Sequence, residues 1–164
     1  MSKLIAVENS INPPSDKSAI ILAWLIAGTL DILAAILILA KGNAAGVLRF
    51  VASGAFGSAA FTGGSGYIWF GLLAHYFIAF CFVAFYFLIY QFVPFLRKNF
   101  ILSAIVYGLF AQVVMSFLVL PLTQIAHRPF NIVGFIENAV ILMFTIGLPA
   151  AWMRQRVYRS DLTE

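Results

Sequence analysis

The run GYIWFGLLAHYFIAFCFVAFYFLIYQF, from Gly66 to Phe92, decides the fold class. It holds no Lys, Arg, Asp or Glu. As a helix rising about 1.5 Å per residue it exceeds the roughly 30 Å hydrocarbon thickness of a bilayer. Its many phenylalanines are expected to face lipid or fill the core. Pro94 and Arg97-Lys98-Asn99 close it.

Three further runs of the same kind flank it. The first extends from about Ser18 to Ala40 and ends at Lys41-Gly42-Asn43; the third extends from about Phe100 to Leu120 and stops at Pro121. The fourth extends from about Asn131 to Met153, before Arg154-Gln155-Arg156. Pro149, in its last turns, is expected to kink or end the helix. The chain is 63% hydrophobic and 10% charged, more apolar surface than a soluble domain of this length can hide. The expectation is an all-α, four-span transmembrane bundle, with a membrane domain over 18–153.

Residues 1–17 read as a flexible cytoplasmic lead-in, with Ser15 or Asp16 placed to cap the first helix. They do not resemble a signal peptide, because the apolar run after them is too long and contains an acid. Residues 154–164 read as a basic cytoplasmic tail. Between spans 1 and 2, AAGVLRFVASGAFGSAAFTGG (Ala44 to Gly64) is too glycine-rich for a fifth span. An amphipathic segment over about 44–62 is expected there, favoured as an interfacial helix. A re-entrant segment is the alternative.

Lys3, Lys17, Arg97, Lys98, Arg154, Arg156 and Arg159 fall on one side of such a bundle, and Lys41, Arg49 and Arg128 on the other. The positive-inside rule then puts both termini in the cytoplasm and, in a bacterium, the chain in the inner membrane. Basic residues this scattered do not suggest nucleic-acid binding. Trp24, Tyr67, Trp69, Tyr90 and Trp152 are expected as interfacial anchors, and Cys81 as a small packing residue.

The candidate site residues are the few polar groups inside the spans: Asp31, His75, Gln112, Glu137 and Asn138. Each belongs to a four-residue ladder of small side chains: Ala23, Ala27, Asp31, Ala35; Gly71, His75, Ala79; Ala104, Gly108, Gln112, Ser116; and Gly134, Asn138, with Glu137 beside it. Spacing of four keeps residues on one helix face, and small residues let backbones approach. A lipid-facing acid at mid-bilayer costs at least about 2.5–3.5 kcal/mol on insertion scales, so these groups are expected to point inward. Counting rise from the outer ends puts Asp31 and His75 about 14–15 Å deep and Glu137 and Asn138 about 10 Å deep.

An acid and an imidazole at one depth can relay protons or bind a cation or small polar solute. The plainer reading is that these groups hydrogen-bond one another and fix helix register. No ligand spacing supports a metal site. A bis-histidine haem would need two histidines at one depth, and His127 falls in a loop. The chain shows no Walker loop, GxSxG, HExxH or CxxC, so soluble-type catalysis and a cofactor are not expected.

The stretches LRFVASGAFGSAAFTGG (48–64) and GLLAHYFIAF (71–80), with GTLDILAA (28–35) and VYGLFAQVVMSFLVLPL (106–122), resemble a family of small bacterial four-helix inner-membrane proteins of no established activity. The resemblance implies the fold and the bacterial setting, and marks Asp31 and His75 as motif members. Three functions follow as expectations. The first is proton or small-solute movement through a polar intrabundle site. The second is a structural or accessory subunit. The third, ranked last, is an enzyme acting on lipid or quinone within the bilayer. Four spans are few for a monomeric transporter, so a homo-oligomer is a further expectation, with the small-residue ladders able to serve its interface instead of packing within the chain.

Overall fold

The computed structural model describes residues 16–125 and 130–161. The lead-in up to Ser15, His127 and Arg128, and the last three residues lie outside them. Among the described residues every regular element is helical. Four helices are long and apolar enough to cross a membrane: span 1 (Lys17–Leu39), span 2 (Gly66–Tyr90), span 3 (Phe100–Leu122) and span 4 (Ile132–Val157). A shorter apolar helix, the loop helix Ala44–Phe56, joins spans 1 and 2.

Span 4 departs from the sequence expectation. Its helix does not stop at Arg154 but continues to Asp161. Pro149 cannot donate to the carbonyl of Thr145, and its ring crowds that carbonyl in a regular helix. A π-helical turn at Met143–Gly147, in which Leu148 N–H bonds back to Met143 O, lies just before the proline and widens the helix there. The helix therefore continues past it.

Span 4 packs against spans 1 and 3, and span 1 also packs against span 2. The small-residue ladders carry these contacts within the chain. Ala23 and Ala27 are fully buried. A Cβ at Gly147 would sit 2.1 Å from Ala104 O, and one at Gly108 would sit 2.4 Å from Met143 Cα. Spans 3 and 4 thus touch backbone to backbone, which only glycine permits. The ladder read at Gly134 does not form such a contact: the nearest atoms to a Cβ there belong to its own capping residue, Asn131. Gly147, not Gly134, is the close-approach residue of span 4.

Away from the shared faces the spans present large apolar side chains. Phe77, Phe92 and Phe144 are 67%, 72% and 64% exposed, a surface matched to acyl chains. Trp69 and Trp152 are exposed near span ends, as anchors should be. Trp24 and Tyr90 are not anchors. The Trp24 indole donates to Tyr76 O at 2.7 Å across spans 1 and 2, and Tyr90 is buried in the core. Cys81 lies on the outer surface, not in the packing.

The half of the bundle nearest the termini is closed by aromatic side chains. Tyr86 and Tyr107 meet edge to face, with ring centroids 4.7 Å apart. The Tyr86 hydroxyl and Ser103 Oγ are 2.6 Å apart, and the Tyr107 hydroxyl donates to Phe82 O. The Arg154 guanidinium lies over the rings of Tyr90 and Phe87.

Candidate functional site

The other half of the bundle is open inside. A cavity of about 560 Å³ lies between all four spans and the loop helix. That is within the size range of small-molecule sites. Its wall is mostly apolar, with Ile32, Val51, Ile78, Met115 and Ile141 among the lining residues. Asp31, His75, Asn138 and Thr123 line it, and among the described residues no lysine or arginine does.

Span 1 presents Asp31 one turn before its last, π-helical stretch, Ala35–Leu39. The carboxyl is held from across the bundle: Thr145 Oγ1 donates to Asp31 Oδ1 at 2.9 Å. Thr145 lies in the π turn of span 4, so the irregularity imposed near Pro149 sets the hydroxyl that fixes the acid. His75 is 9% exposed. Its Nε2 lies 2.8 Å from Gly28 O, and a carbonyl only accepts, so Nε2 carries the proton. Nδ1 makes no hydrogen bond with a described residue. Asp31 on span 1 and His75 on span 2 line the same cavity.

Gln112 and Asn138 form a second group. Asn138 Nδ2 donates to Gln112 Oε1, and Gln112 Nε2 donates to Ser116 Oγ at 3.0 Å. Asn138 reaches the cavity, while Gln112 is buried outside the lining. Glu137 does not join either group. It is exposed on the outside of span 4 and does not line the cavity. Adjacent residues on a helix point about 100° apart, and here that step turns Glu137 to the exposed side while Asn138 reaches the cavity. Thr145, seven residues after Asn138, returns to nearly the same face. That spacing, together with a threonine four residues before an in-span proline, was the signal for Thr145 that the sequence reading passed over.

The loop helix forms the remaining wall through Gly46, Val47, Phe50, Val51 and Gly54, one face of a helix. Leu48 O abuts Gly71, where a Cβ would lie only 1.9 Å away. Gln124, just after span 3, bonds the other end: its N–H reaches Gly54 O at 2.9 Å and its Nε2 reaches Ala55 O at 2.7 Å. Arg49 Nη1 donates to Ala60 O and Gly63 O, both at 2.8 Å, tying the helix to the short turn at Ala59–Thr62. Among the described residues no three His, Cys, Asp or Glu side chains cluster.

No family model, curated protein or solved structure matches the chain.

Proposed function

We propose that this chain is a multi-pass protein of the bacterial inner membrane, with both termini cytoplasmic, whose bundle interior serves proton or small-solute movement. The observation that carries the reading is the cavity itself. It gathers Asp31, His75 and Asn138 from three spans around an otherwise apolar space, where isolated polar groups are expensive. The charge asymmetry of the loops supports the orientation. Membership of the small inner-membrane family, resting on the segments 48–64 and 71–80, belongs to the same proposal.

The test pairs stability with flux. Asp31→Asn and His75→Gln proteins are compared with wild type for thermal unfolding in detergent and for proton and solute flux in liposomes. Lost flux with little change in unfolding temperature is the expected result. A wild type with no flux, and variants that only lose stability, would overturn it.

That second outcome would favour a structural or accessory subunit. One observation speaks for this reading. The His75–Gly28, Thr145–Asp31 and Asn138–Gln112 bonds each join two different spans, which is what register locks do.

A further inference from the structure

The polar groups that face the cavity are unequal in what they offer a ligand. His75 has used its one proton on Gly28 O, which leaves Nδ1 with a lone pair. His75 is about nine-tenths buried and lines the cavity, and no described residue donates to this lone pair. Asp31 receives one hydroxyl proton at Oδ1, and among the described residues Oδ2 receives none. A carboxylate has about four acceptor sites, so most of its capacity is unused. Among the described residues no lysine or arginine lines the cavity to meet a negative group. Asn138 and Thr123 also line the cavity, and the rest of the wall is apolar side chains and glycine from the four spans and the loop helix.

A ligand that satisfies this set needs hydrogen-bond donors at one end and an apolar body of modest size behind them. An anionic head would be buried beside Asp31 without a counter-charge, an arrangement that buried sites avoid. An ammonium head carries the charge to pair with Asp31 and further N–H donors of the kind that His75 Nδ1 accepts. Building on the small-solute reading above, we propose that the cavity binds a lipophilic amine, with its ammonium held between Asp31 and His75 and its alkyl or aryl body against Val51, Ile78, Met115 and Ile141.

The experiment uses the full chain in nanodiscs of zwitterionic lipid, with empty nanodiscs subtracted. Three probes of one chain length are compared by direct binding: decylamine, decanol and decanoate. Wild type is expected to bind the amine about tenfold more tightly than the alcohol, and the alcohol more tightly than the carboxylate. Asp31→Asn is expected to bring the amine down to the alcohol's affinity and leave the alcohol unchanged. Equal or tighter binding of decanoate by wild type overturns the amine assignment but keeps the cavity as a solute site. Binding of none of the three overturns both. If Asp31→Asn does not fold, the order of the three probes on wild type still decides.

Discussion

The two halves of the bundle are built from the same kind of helix and do opposite things with their polar residues. In the half nearest the termini, Tyr86, Tyr107 and Ser103 spend their hydroxyls on one another and on Phe82 O, and the rings fill the space between spans. In the half under the loop helix, Asp31, His75 and Asn138 make one cross-span bond each and keep polar atoms toward a cavity. Close packing needs small residues where backbones meet and large rings where they part. The terminal half has both, in Ala104, Gly108 and Gly147 on one side and the tyrosines on the other. Beside the cavity the loop helix, rather than a fifth span, supplies the missing wall. The comparison teaches that packing in this bundle varies with depth: one end holds the helices together and the other leaves room for a cavity.

That contrast can be broken at several points. The largest effect is expected from Gly147→Leu or Gly108→Leu, which forces side-chain atoms into the backbone of the facing span. The atoms in the way are backbone and cannot turn aside as a side chain can, so the cost should exceed that of ordinary overpacking and the variants should lose the folded bundle in detergent unfolding assays. Next, Tyr107→Ala should destabilise by about 3–5 kcal/mol, whereas Tyr107→Phe, which loses only the bond to Phe82 O, should cost about 1 kcal/mol. Cavity-side variants should behave differently. Val51→Phe, reaching into empty space, should leave the unfolding temperature unchanged or raise it while abolishing solute binding or flux. If it destabilises as strongly as the tyrosine variant, the two halves are not distinct.

Smaller still, Gln124→Ala removes the side-chain bond to Ala55 O and should cost about 0.5–1.5 kcal/mol. Amide hydrogen exchange should rise in Ala44–Phe56 with no change around Tyr86. Uniform exchange in both places would show that the loop helix is not an independent wall. Last, Glu137→Gln should leave flux and stability unaltered, because this side chain faces away from the cavity. A loss of flux there would return Glu137 to the site.

Much of the fold was legible because the bilayer imposes a one-dimensional rule. A helix long and apolar enough to cross must be near-continuous in sequence, so the four spans and the loop helix follow from the order of residues alone. The convergence of Asp31 and His75 was legible for a related reason: depth is a count of residues from a span end, and both counts agree. Glu137 and Thr145 show where that counting fails. Depth alone does not give azimuth, and a helix's rotation about its axis is set by which neighbour it packs against. The anchor role read for Trp24 failed in the same way, since its indole turned to span 2 rather than to the interface.

Sequence by itself therefore determined that the chain carries four helices long and apolar enough to cross a membrane, and which rare polar groups within them must seek partners. Tertiary structure decided which partners they found, that the loop helix closes a cavity against span 2 and Gln124, and that span 4 takes a π turn just before Pro149 and continues past it. The physical reason is one of range. Hydrophobic transfer is a sum over local residues, whereas hydrogen bonds and close backbone contacts between spans depend on distances set by all the helices together.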